Sequence, residues 1–173
     1  MRRAALKIAL MGAASLTLIL SGSPAGAQVT AQDKQTLIAS VEKGAPRMAD
    51  VAHQIWEFAE VGYQETKSSA LLQSELRKAG FSVQAGVAGM PTAFVASFKN
   101  GDGPVIAILA EYDALPGLAQ EAKPEPAPIA GQIAGHACGH HLFGAASVAA
   151  AQSLAAWMKA NNVGGEIRVY GTP

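Results

Sequence analysis

Between residues 30 and 80 apolar side chains recur every three or four positions, the period of helices that bury one face. Thr30 and Asp33 are spaced to cap a helix start, and Leu37, Ile38 and Val41 continue the period as far as Gly44. Met48, Val51, Ile55 and Phe58 predict a second helix after Pro46, ended by Gly62. Leu72, Leu76 and Ala79 predict a third from about Glu65 to Lys78, closed by Gly80. The pattern then changes to that of strands. Thr92 to Phe98 is β-rich, and Asn100-Gly101-Asp102-Gly103 is a hairpin-type turn signal. Pro104 to Ala110 is continuously apolar, which predicts a central strand buried on both faces. Three polar side chains, Glu111, Tyr112 and Asp113, end it, and in α/β sheets sites form at the carboxyl ends of strands. Residues 114 to 134 carry four prolines and little period, which fits a site-lining loop or a disordered connection. An alanine-rich helix, Leu142 to Ala160, can approach a sheet closely, and Glu166 to Tyr170 alternates as one more strand. This order predicts an α/β sandwich with a mixed sheet.

Composition adds limits. Half of the residues are apolar and the formal charge is zero, so there is no basic stripe for nucleic acid. The first residues read as an export signal: Arg2, Arg3 and Lys7, then an apolar run from Ile8 to Leu20, then Ala25-Gly26-Ala27. Residues 1–27 are therefore expected to be removed, leaving Gln28 as the mature N-terminus and residues 28–173 as the working chain. The paired arginines also fit the twin-arginine route. The protein is expected to be periplasmic or secreted, with no stable membrane span because the apolar run is short. One cysteine excludes an intramolecular disulfide.

That cysteine lies in the most chemically loaded stretch of the chain, His136-Ala137-Cys138-Gly139-His140-His141. Thiolate and imidazole are ligands favoured by borderline-soft metals such as zinc. Cys138 and His140, two apart with a glycine between, can point to the same side. The helix that follows favours thiolate over thiol through its dipole. Glu111 and Asp113 could bind metal directly or orient a ligand histidine. Two other readings stay open from the residues alone: a histidine-activated cysteine nucleophile, and a polar turn around a buried thiol.

Gly135-His136-Ala137-Cys138-Gly139-His140-His141-Leu142-Phe143-Gly144 is similar to the Gly-His-x-Cys-Gly-His-Asn-Leu-Phe-Gly stretch of amidohydrolases in metallopeptidase family twenty. Ile55 to Glu65 resembles that family's N-terminal helix-end motif, and Ala110 to Gly117 its strand-end motif in the aminobenzoyl-glutamate hydrolase branch. Gly171-Thr172-Pro173 resembles the start of its Gly-Thr-Pro-Ala-Glu-Glu motif. The resemblance implies a three-layer α/β/α sandwich with a mixed, mostly parallel sheet, like the zinc exopeptidases, here present only as its N-terminal part. It implies two divalent metal ions, Zn2+ or Mn2+, and hydrolysis of the amide bond of an N-acyl or aroyl amino acid. Cys138 and His140 match metal ligands, and Asp113 and Glu111 match an orienting position. His136 and His141 fall inside the motif without an assigned role; His141 stands where Asp or Asn is usual. The general-base glutamate is expected beyond Pro173, so residues 1–173 hold no catalytic base and little turnover is expected of them. The parent enzyme is expected to be a homodimer. The alternative is a non-catalytic exported half-domain that binds metal or a partner.

Overall fold

The computed structural model describes residues 29–173. The expected signal peptide, residues 1–27, lies outside the described residues. Helix α1 spans Ala31–Phe58 and starts where its cap predicts. The Thr30 hydroxyl accepts from the Asp33 amide (3.1 Å), and Asp33 accepts from the Thr30 amide (2.9 Å), closing a capping box. The two helices expected either side of Pro46 are one. An internal proline costs a helix about 3 kcal/mol, and tertiary contacts on both sides of it offset this. Towards the N-terminus Ser40 meets Ser153 (3.2 Å) and Asp33 accepts from the Trp157 indole (3.1 Å). Beyond the proline, Met48, Val51, Ala52 and Ile55 are buried, and Arg47 reaches Glu75 (2.7 Å).

Helix α2 spans Thr66–Lys78. Its free N-terminal amides are capped from outside: the Glu60 carboxylate accepts from the amides of Lys67 (3.0 Å) and Ser68 (2.9 Å). Strands β1 (Ser82–Ala85), β2 (Phe94–Lys99) and β3 (Val105–Glu111) follow. Two short strands, β4 (Leu115–Pro116) and β5 (Ala134–Gly135), pair antiparallel and bracket the proline-rich segment. Helix α3 (His140–Ala160) and strand β6 (Glu166–Thr172) complete the order.

The main sheet runs β1-β2-β6-β3. It is mixed as expected, but β3/β6 is its one parallel pair among the described residues; β1/β2 and β2/β6 are antiparallel. The turn at Asn100–Gly103 does not make a hairpin, because β6 lies between β2 and β3. The turn is held instead to the α3–β6 connection, with the Asn100 amide side chain donating to the carbonyls of Met158 (3.1 Å) and Val163 (2.8 Å).

Phe94, Ala96, Ile167, Val169 and Ala110 share one face of the sheet and form a single core with Ile55, Leu72, Leu76 and Val148 from the three helices. The described residues thus make two of the three expected layers, all helices lying on that face. The expected central strand, β3, is an edge here, with Val105 52% and Leu109 63% exposed. No helix among the described residues is long and apolar enough to cross a membrane.

Candidate functional site

The carboxyl end of β3 and the first turn of α3 meet at His140. Their approach is close because Gly144 has no side chain: a β-carbon there would sit 2.7 Å from the Glu111 carbonyl oxygen. Gly139 starts α3 in the left-handed conformation (φ 86°), a backbone state that glycine adopts without steric cost. His140 then falls between two carboxylates. Its Nδ1 lies 2.6 Å from Asp113 Oδ1 and its Nε2 2.9 Å from Glu111 Oε2. Ionised carboxylates only accept, so a ring nitrogen of His140 bonds its carboxylate as a donor, through the proton it carries. His140 and Asp113 are largely buried, whereas Glu111 is about half exposed.

Cys138 is a free thiol and exposed, which removes the reading of a polar turn around a buried thiol. His136 faces the end of α1. It is buried, its Nε2 donates to the Ile55 carbonyl (3.0 Å) at the end of α1, and its Nδ1 has no partner. Burial holds its pKa below the usual imidazole range. His141 packs on His136 with ring centroids 4.9 Å apart, and its buried Nδ1 is also unpartnered. Burial, then the neighbouring His136 and His140, push its pKa down to about 4. The fourth histidine, His53, is an exposed helix residue 3.5 Å from Glu57.

A buried polar network that the periodicity did not signal lies behind the strand end. Tyr112, fully buried, donates its phenol hydroxyl to the Thr92 carbonyl (2.6 Å), which also accepts from Ser69 (2.6 Å). The Thr92 hydroxyl donates to Glu65 Oε2 (2.8 Å), and Glu65 Oε1 is buried without a partner. Burial raises the Glu65 carboxyl pKa above its ordinary value, and burial likewise raises the Tyr112 phenol. Glu65 and Tyr112 stand in the helix-end and strand-end motifs, but only the fold brings them to one residue, Glu65 to the Thr92 hydroxyl and Tyr112 to the Thr92 carbonyl.

Among the described residues, no group of three or more His, Cys, Asp and Glu side chains is arranged to hold an ion as it stands. The structure does bring Asp113, Glu111 and His140 together, while His136, buried, and His141, partly buried, pack on each other beside them.

No family model matches the chain. It is 43% identical over 135 residues to a p-aminobenzoyl-glutamate hydrolase of Escherichia coli, an alignment covering 78% of this chain and 28% of that one. It is 32% identical over 145 residues to the mouse Xaa-Arg dipeptidase, covering 77% of this chain and 30% of that one. Among solved structures, a dinuclear metal-binding peptidase of the M20 family from Bacillus subtilis superposes with a TM-score of 0.63 at 27% identity, over 76% of this chain and 36% of that one. The chain belongs to the M20 amidohydrolase family. An aminobenzoyl-glutamate utilization protein from Klebsiella pneumoniae shares the fold, with a TM-score of 0.53 at 15% identity, over 79% of this chain and 38% of that one. The chain spans about three tenths of the length of these curated relatives. By name, these relatives are hydrolases of the amidohydrolase and peptidase type.

Proposed function

We propose that the chain is the N-terminal part of a metal-dependent amidohydrolase that cleaves the amide bond of an N-acyl or aroyl amino acid, with p-aminobenzoyl-glutamate as the first candidate. The observation that carries this reading is His140 gripped at Nδ1 by Asp113, beside an exposed thiol at Cys138. A histidine whose Nδ1–H is held by a carboxylate is fixed in the tautomer that frees Nε2 for an ion. The donor chemistry therefore fits a divalent metal, Zn2+ or Mn2+, held by Cys138 and His140. Asp113 orients the ring, and Glu111 stands at the nitrogen that would exchange its proton for the ion. When bound, a pair of such ions supplies polarisation of the scissile carbonyl and an activated water at neutral pH. The substrate class is supported by the relative from Escherichia coli.

In this reading a general base following the Gly-Thr-Pro motif takes the water's proton, and Cys138 and His140 supply one side of the reaction centre. In this reading the protein is exported to the periplasm or beyond, matures at Gln28 and works as a homodimer. The chain is to be purified from Gln28 onward, loaded with zinc or manganese, and offered p-aminobenzoyl-glutamate and hippurate-type substrates. Metal uptake lost on Cys138→Ala is expected, with little turnover by residues 28–173. A chain continuing past the Gly-Thr-Pro motif is expected to turn over. Ordinary turnover by residues 28–173 alone would show that no further base is needed. Activity that survives chelators but not thiol alkylation would replace the metal reading with a cysteine nucleophile. Cooperative folding and metal uptake with no turnover in any longer chain would favour a binding module.

A further inference from the structure

Glu111 and Asp113 hold opposite sides of the same imidazole, so the residue between them governs both contacts at once. That residue is Tyr112, and it points the other way, into the core. Its ring lies nearly parallel to that of Phe94 (8° between planes, centroids 6.1 Å apart), and its hydroxyl ends on the Thr92 carbonyl at 2.6 Å. Thr92 is itself immobilised: Ser69 donates to the same carbonyl at 2.6 Å, Gln73 donates to Ser69 at 2.9 Å, and the Thr92 hydroxyl donates to Glu65 at 2.8 Å. All of these side chains are buried. A phenylalanine would fill the Tyr112 site and keep the aromatic packing, so packing does not require the hydroxyl. What the hydroxyl adds is a fixed distance between the strand end and the segment that precedes β2.

We propose that Tyr112 is a positioning residue for the site: anchored on the Thr92 carbonyl, which Glu65 holds through the Thr92 hydroxyl, it sets where Glu111 and Asp113 meet His140. Without the anchor the strand end gains freedom along its own direction. A shift there lengthens one or both of the contacts at 2.6 and 2.9 Å. The inference rests on Glu111, Asp113 and His140 forming one site, and not on which metal is bound or whether one is.

The test compares Tyr112→Phe, Thr92→Val and Thr92→Ser in the full chain, with Phe94→Leu as a packing control. The ring-nitrogen NMR shifts of His140 report its two hydrogen bonds directly and need no metal. Tyr112→Phe is expected to stay folded and to move the His140 nitrogen shifts. Thr92→Val is expected to move them in the same direction, and Thr92→Ser, which keeps the hydroxyl, to restore the parent values. Phe94→Leu is expected to lower the melting temperature with the His140 shifts unchanged. In metal titrations with cobalt, Tyr112→Phe is expected to weaken uptake by about tenfold, the low end of the effect seen for groups that orient ligands. Unchanged His140 shifts in both Tyr112→Phe and Thr92→Val would overturn the proposal. So would shifts that follow loss of stability equally in Phe94→Leu. If Tyr112→Phe does not fold, the Thr92→Val and Thr92→Ser pair decides by the same readout. Failure of the parent chain to bind cobalt would count against the proposed function but would leave the His140 shifts to judge the anchor.

Discussion

Asp113 and His140 meet at 2.6 Å although they stand 27 residues apart, one just past the end of β3 and the other in the first turn of α3. The contact depends on the parallel β3–α3–β6 unit, which brings the carboxyl end of a strand against the amino end of the next helix. Both partners are largely buried, so the pair is screened less than a surface ion pair.

Asp113→Asn keeps an acceptor for the His140 Nδ1 proton but removes the charge behind it. Metal affinity of the chain is expected to fall about 10- to 100-fold, as for other groups that orient a ligand histidine. Isothermal titration with zinc, with Cys138→Ala as the reference for lost ligation, reads the effect. Unchanged affinity would exclude an orienting role for Asp113.

Gly144→Ala places a β-carbon 2.7 Å from the Glu111 carbonyl oxygen and 3.1 Å from Leu72 Cδ1. Backbone cannot yield as a flexible side chain can, so α3 must move away from the strand end. A loss of about 1–3 kcal/mol is expected, the usual cost of overpacking, measured by urea denaturation of parent and variant.

His141 and His136 both resist protonation in the fold, because burial disfavours the charged ring. Their unfolded forms take up protons more readily, so stability is fully present above the ordinary imidazole pKa of 6.5 and is lost as pH falls towards about 4. Urea midpoints measured from pH 7.5 to 4.5 are expected to drop, and His141→Asn is expected to reduce the drop. A variant as acid-sensitive as the parent would remove His141 from the account.

Glu65 acts in the opposite sense. Its carboxyl is buried and its pKa raised, so the folded chain keeps that proton longer than the unfolded chain does. Its contribution is present below the ordinary value of 4.5 and is lost as pH rises through the raised one. Glu65→Gln, uncharged throughout, is expected to be more stable than the parent at pH 8 relative to the same comparison at pH 4, again by urea midpoint.

Pro46→Ala restores an amide donor inside α1. Removing an internal proline recovers about 3 kcal/mol of helix stability, offset by about 1 kcal/mol from the freer unfolded chain. A net gain near 2 kcal/mol is expected, visible as a higher melting temperature. A loss would mean that Pro46 itself is needed for α1 to meet both α2 and α3.

The helix starts, the strand sites and the loaded cluster around Cys138 were legible because each is a local signal. The Thr30–Asp33 cap acts within four residues, and the apolar period that marks α2 and α3 is set by one helix turn. The merging of two expected helices across Pro46 was not legible. It depends on Ser153, Trp157 and Glu75, which lie in other elements. Nor was the insertion of β6 between β2 and β3, since the Asn100–Gly103 turn carries the same residues whether its strands pair with each other or with a third.

Sequence alone determined the family, most of the helix- and strand-forming stretches and the residues able to do chemistry, because these rest on residue identity and short-range spacing. Tertiary structure decided which of those residues share a site. It put His140 between Glu111 and Asp113, turned His136 towards the end of α1, and left Cys138 exposed. The physical reason is that side-chain direction at a strand end or helix start is settled by what packs behind it. For Glu111 and Asp113 that is Tyr112 on the Thr92 carbonyl, and for His140 the close approach that Gly144 allows.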